Sequence, residues 1–185
     1  MLRHTARRAT NSTIRRVILC GIVVGALSTL LVSCSSYTEL SRAIDQAESL
    51  AEENPNKALE IISNIDKSQL RSNEIKARYA LIYSEVSYYN RMLVNSDSLT
   101  RIAVAYYDKS NHHHERARAY FQHGMALQLA GALPEAILAL REAHNSLDKY
   151  KDNRLEGVVY RLEGDIYRAS YLYRNSYNAY VEALQ

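Results

Sequence analysis

Ala119-Tyr120-Phe121-Gln122-His123-Gly124 and Val159-Tyr160-Arg161-Leu162-Glu163-Gly164 each place a tyrosine four residues before a glycine, and the two stretches lie 40 residues apart. Four residues make about one helical turn, so each Tyr and its Gly share a face. The correspondence continues at the same offset: Leu127 meets Tyr167, Ala136 meets Ser176, Leu140 meets Tyr180 and Ala143 meets Ala183. Self-similarity at roughly 34–47 residues is what stacked helix pairs leave in a sequence, because one pair cannot bury its apolar face without the next.

The flanking sequence is helical in pattern as well. Leu40, Ala43, Ile44, Ala47, Leu50 and Ala51 recur at three- and four-residue steps, as do Ala58, Ile61, Ile62 and Ile65. Such steps line one helix face. Asn54-Pro55 separates the two runs, with Pro suited to a first helical position, where its missing N–H costs nothing. Similar runs over 73–90, 97–110, 114–130, 134–149, 154–170 and 175–185 predict eight helices joined by short breaks. Six Gly and two Pro in 185 residues leave too little turn material for an all-β fold.

Segment 117–148 resembles a tetratricopeptide repeat (TPR). Tyr120 stands at the large aromatic position, Gly124 at the small one, then Leu127, Ala136, Leu140 and Ala143. The physical sense is plain: Gly124, Ala136 and Ala143 let the two helices of a pair approach closely. Gly131 suits a left-handed helix terminus, and Pro134-Glu135 opens the second helix with an acid near its positive end. Segment 157–185 matches with Ser176 in place of Ala. The earlier pairs, 38–66 and 73–110, are degenerate: Ala58 and Ala103 fit, but Tyr83 sits near the expected Gly. The resemblance implies an all-α fold, an α-α superhelix of about four helix pairs. Degenerate pairs fill 38–112 and two clearer repeats fill 113–185. The chain stops at Gln185 inside the second helix of a pair, as a truncated array would.

The leader differs in chemistry. Residues 1–33 hold Arg3, Arg7, Arg8, Arg15 and Arg16 and no acid, and Val17–Leu30 is continuously apolar. A basic start, an apolar core and small residues after it are the order of a secretory signal peptide, here 1–33. Leu31-Val32-Ser33-Cys34 resembles the lipobox of bacterial lipoproteins. That resemblance implies acylation of Cys34 with palmitate-type chains, cleavage before it and a short linker over 34–37. More than one acyl chain is needed for stable anchoring. The alternative is an uncleaved membrane helix, since Val17–Ser33 reaches the lower limit of a spanning length and carries Gly21-x-x-x-Gly25. Cys20 and Cys34 are the only cysteines, so the helical part holds no disulfide and no thiolate metal site. Ser35, rather than Asp, implies the outer membrane with the protein facing the periplasm. Glu53-Asn54-Pro55 adds a likeness to Gram-negative lipoproteins in which a helix ending in E-x-P precedes TPR-like pairs.

Charge narrows the function further. Five of the 23 basic residues lie in 1–33, which leaves 18 against 20 acids and a net of −2 for the remainder. Nucleic-acid binding needs a positive surface, so no nucleic-acid partner is expected. His112-His113-His114 reads as a solvated loop, His123 and His144 are isolated on helices, and no nucleophile, phosphate-loop or zinc-protease motif is present. The expectation is a non-catalytic chain with no metal and no cofactor. Tyrosine is abundant, 15 against one Phe and no Trp. Tyr79, Tyr83, Tyr160, Tyr167 and Tyr180 fall on apolar faces; Tyr88-Tyr89, Tyr106-Tyr107, Tyr171, Tyr173 and Tyr177 are expected to put some rings outward.

In TPR proteins the first helices form a concave ligand surface. Carried over, that surface shows Arg118, Phe121, Gln122, Met125 and Gln128 in one pair, and Arg161, Leu162, Asp165 and Arg168 in the next. Apolar residues at three of these positions do not match the basic-plus-Asn clamp that some TPRs use for C-terminal carboxylates. The expected function is a membrane-anchored scaffold or sensor-input lipoprotein in the cell envelope, holding a protein or peptide partner on its concave face. The alternatives are a nutrient- or glycan-capturing outer-membrane lipoprotein and an envelope-assembly adaptor.

Overall fold

The computed structural model describes residues 37–92 and 97–185. The expected signal peptide (1–33), the lipobox-like stretch with Cys34 and the expected linker before Tyr37 lie outside the described residues. Among the described residues there are eight α-helices and no strand: α1 (37–50), α2 (Pro55–Ser63), α3 (Asn73–Tyr89), α4 (Asp97–Tyr107), α5 (His113–Leu129), α6 (Leu133–Leu147), α7 (Asn153–Ala169) and α8 (Tyr173–Glu182). The six helices from α3 onward start within two residues of the periodicity's expectation. A short 3₁₀ turn, Lys67–Gln69, was not legible in the pattern. Ala43–Gln185 form one compact unit. Among the described residues no helix is long and apolar enough to cross a membrane.

Local chemistry sets the helix starts. Asn54 accepts a hydrogen bond from the Lys57 N–H ahead of Pro55, Ser72 accepts from Ile75, and Asp152 accepts from Leu155. Each satisfies a donor that the first turn leaves unpaired. α6 begins without a side-chain cap and relies on Pro134 and the first-turn acid Glu135.

The 40-residue period extends further than the sequence matches indicate. Helices α3, α5 and α7 start at 73, 113 and 153 and each has 17 residues. Just past them Arg91, Gly131 and Tyr171 all have positive φ, at 55°, 78° and 60°. Each terminus closes with the same bonds: Arg91 N–H to Tyr88 and Met92 to Ser87, Gly131 to Gln128 and Ala132 to Leu127, Tyr171 to Arg168 and Leu172 to Tyr167. This is the Schellman arrangement, which favours glycine at its left-handed residue. Only the middle copy has one. Tyr171 is 78% exposed and loses little packing if removed. Tyr171→Gly should therefore raise stability by about 0.5–1 kcal/mol, visible as a higher urea midpoint. Gly131→Ala should lower it by a similar amount.

From α2 onward successive helices pack on one another, and α3 also lies on α5 and α5 on α7. The glycines explain the close fit within pairs. A Cβ on Gly124 would lie 2.7 Å from Leu140 Cδ2, and one on Gly164 would lie 2.5 Å from the Tyr180 ring. Ser176, at the place of Ala136, donates its hydroxyl to the Gly164 carbonyl at 2.9 Å. Leu140, Ala143, Leu147, Val159 and Ile166 form the buried centre between α5, α6 and α7. Burying a side chain such as Leu140 contributes about 1.5–3 kcal/mol. Tyr107 is buried with Tyr79, whereas Tyr171, Tyr173 and Tyr177 face solvent. Tyr107 turns inward on α4, and its neighbour Tyr106 packs edge-on against it.

Candidate functional site

Because α3, α5 and α7 are related by the same period, equal register positions fall side by side. Positions 118, 121, 122 and 125 on α5 correspond to 158, 161, 162 and 165 on α7. Spacings of three, four and seven keep each set on one helix face. Between these faces runs a groove of about 340 Å³. Phe121, Gln122 and Leu162 line it as buried residues, with half-buried Met125 and Val158 and exposed Leu129 beside them. Polar groups border it: Gln128, Arg161 and Asp165, with Tyr88 and Arg91 from the α3 side.

Two contacts fix the groove's far wall. Tyr88 meets Phe121 edge-to-face, with ring centroids 6.0 Å apart. Arg161 donates to the Tyr88 hydroxyl at 2.9 Å, joining α7 to α3 across the groove. Asp165 accepts from Tyr180 Oη at 2.7 Å and from Arg168 at 3.2 Å.

A second hollow of about 420 Å³ continues from the first, sharing Tyr88, Phe121, Gln122 and Val158. Its chemistry is different. Glu48, Glu52, Glu53, Glu85 and Asp152 line it against Arg118, Arg154 and His114. Arg118 grips Glu85 through two nitrogens, with Nε to Oε1 at 2.7 Å, and reaches Glu48 through the third at 2.7 Å. One guanidinium thereby links α1, α3 and α5. Burial alone would weaken its charge, but Glu85 and then Glu48 outweigh that and raise its pKa. Glu52 accepts from the Tyr89 hydroxyl at 2.6 Å and from Arg154. These two hydrogen bonds, Tyr89 first, hold its carboxyl below the usual range. His114 contacts Asp152 at 3.1 Å and stacks on Tyr150.

The residues expected on a concave face therefore divide. Phe121, Gln122, Met125, Arg161 and Asp165 come together in the groove, with Leu162 and Gln128. Arg118 does not join them: it is held in the ion triad of the adjoining hollow. Arg168 stands outside both hollows, exposed and paired with Asp165. No family model, curated protein or solved structure significantly matches this chain.

Several lining residues were missed by the sequence reading, among them Ser84, Tyr88, Arg91, Met92 and Thr100. All lie on the pair treated as degenerate. Ser84 falls 40 before Gly124 and Thr100 falls 40 before Leu140, so the period itself was the available signal. The histidines also differ from expectation. His113 and His114 open α5 rather than lie on a loop, and His114 contacts Asp152 ahead of α7. His123 Nδ1 contacts Thr100 Oγ1 at 2.9 Å, and His144 lies on the Tyr160 ring at 4.3 Å. Among the described residues no group of His, Cys, Asp and Glu is arranged to hold a metal ion.

Proposed function

We propose that this chain is a lipid-anchored, TPR-like α-solenoid of the cell envelope that holds a protein partner in the groove between α3, α5 and α7. It acts as a scaffold or sensor-input module and not as an enzyme. The observation that carries the reading is the groove itself: an apolar floor with polar groups at its border, built from equal register positions of successive first helices. Such a surface suits a partner segment, whose apolar side chains gain by leaving water while its backbone finds donors and acceptors along the border. The 40-residue recurrence of helix start, left-handed terminus and close glycine contact supports the solenoid reading. The order of basic, apolar and lipobox residues before Cys34 supports anchoring through that cysteine, with the outer membrane as the preferred site.

One experiment addresses both halves of the reading. A photocrosslinking residue at Leu129, in the groove, should trap a discrete partner in intact cells, and one at exposed Leu138 on α6 should not. Equal crosslinking from both positions would move the interface elsewhere. In the same cells Cys34→Ala should abolish incorporation of labelled palmitate and leave an unprocessed precursor. Normal processing of that variant would remove the lipoprotein assignment.

A further inference from the structure

The two hollows are continuous but oppositely charged, and this polarity constrains what can occupy them. In the second hollow five carboxylates face Arg118, Arg154 and His114, a net of −3 with the imidazole neutral and −2 with it protonated. Arg118 is saturated by Glu48 and Glu85. Arg154 is engaged by Glu52, and Glu53 is exposed. A basic side chain arriving there would meet Glu52 and Glu53 together with the rings of Tyr88 and Tyr89, which also attract cations. An acidic segment would be repelled, since like charges brought together across an interface cost several kcal/mol.

The first hollow has the opposite bias. Arg91 and Arg161 border it against Asp165, which already accepts from Arg168 and Tyr180. Between these charges the surface is apolar: Met125, Leu129, Val158 and Leu162 stand next to one another with Phe121 beneath. Lysines directed to this end would face two guanidinium groups. The groove therefore has a direction as well as a composition.

We propose that the partner presents a basic–apolar segment, with large aliphatic side chains seated among Met125, Leu129 and Leu162 and Lys or Arg side chains on one flank reaching Glu52 and Glu53. This rests on the reading of the groove as a partner site and names the chemistry that the site selects. Charge complementarity sets which flank is basic, and the apolar floor supplies most of the burial.

The test uses fluorescein-labelled peptides and the full chain in detergent micelles, read by anisotropy. Each peptide carries a Leu-Leu-Met anchor flanked by four Lys, four Ser or four Glu, with the block placed before the anchor in one set and after it in the other. In one of the two orders the Lys peptide should bind about tenfold tighter than the Ser peptide, with the Glu peptide weakest. Glu52→Gln with Glu53→Gln should shrink the Lys advantage to about twofold and leave the Ser peptide unchanged. Met125→Glu should abolish binding of all peptides at unaltered helicity. Ser or Glu peptides binding as tightly as Lys peptides would overturn the charge assignment while leaving the groove a partner site. An undiminished Lys advantage after both Glu substitutions would do the same. If no peptide shows binding that Met125→Glu removes, the proposal fails outright, and crosslinking from Leu129 decides the partner site independently.

Discussion

Arg118→Ala should lower the thermal midpoint by about 6–20 °C, although the residue was expected on a binding surface. Its side chain is 15% exposed and that of Glu85 is 11% exposed, so the pair sits largely out of water. Removing the guanidinium strands Glu85 with Glu48 nearby and nothing to offset its desolvation. Breaking a buried pair in this way costs about 3–5 kcal/mol, and for a chain of this size each kcal/mol moves the midpoint by about 2–4 °C. The wild-type pair is itself a small net contributor, because taking two charges from water nearly cancels their attraction. The double variant Arg118→Met, Glu85→Leu should therefore recover most of the lost stability. A midpoint within about 2 °C of wild type for Arg118→Ala would mean that Glu85 relaxes into solvent and the triad is not structural. If the midpoint falls as expected, a loss of partner binding in an Arg118→Glu, Arg168→Glu variant reports on folding first, and so Met125 and Leu129 are the better probes of the groove.

Arg118 also marks the limit of what was legible beforehand. The TPR resemblance implied a place for it on one face of α5 with Phe121 and Gln122, and their spacing alone makes these positions share a face. The pattern carried no information on which carboxylates would converge there, since Glu48 and Glu85 come from α1 and α3, 70 and 33 residues away in sequence. Long-range pairing of charges depends on how the first helices lie against one another. The same reason hid Tyr88, whose hydroxyl meets Arg161 across 73 residues.

Helix number and position were readable from apolar spacing, and the close approach at Gly124 and Gly164 from their shared offset. The third copy of the period was not, because its side chains have diverged while its backbone has not. Ser84 replaces glycine and Thr100 replaces leucine, so the apolar match is lost. Both are buried small polar residues with hydrogen-bonding contacts: the Ser84 hydroxyl donates to the Ala80 carbonyl one turn back, and Thr100 meets His123 on α5. Arg91 likewise occupies a left-handed position that a sequence reader assigns to glycine. What recurs every 40 residues is the backbone conformation and the packing distance, and side-chain identity follows only where a larger group would collide.

That collision supplies the other large effect. Gly164→Val should destabilise the fold by about 3 kcal/mol or more, and Gly124→Val by a similar amount. An added Cβ at Gly164 falls 2.5–2.9 Å from three atoms of the Tyr180 ring, and the ring is pinned by its hydroxyl on Asp165. At Gly124 the Cβ falls 2.7 Å from Leu140, which is fully buried. Overpacking of this kind costs about 1–3 kcal/mol for a first methyl, and a β-branched residue adds two more. Alanine is the informative intermediate, because it gains about 1 kcal/mol of helix propensity over glycine. Gly164→Ala and Gly124→Ala should still lose stability by about 1 kcal/mol, so the steric term wins. Gly157 is the control within the same helix as Gly164: its Cβ would meet only the Ala183 carbonyl, at 3.3 Å just past the end of α8. Gly157→Ala should be stabilising by about 0.5 kcal/mol. Tyr180→Ala, destabilising alone, should make Gly164→Ala harmless or favourable in the double variant, which is a coupling of neighbours in contact. Urea denaturation followed by circular dichroism measures all of these. If Gly164→Ala gains stability as Gly157→Ala does, the α7–α8 pair is looser than its geometry, and the spacing of the repeat is set by the second helices instead of by the glycines.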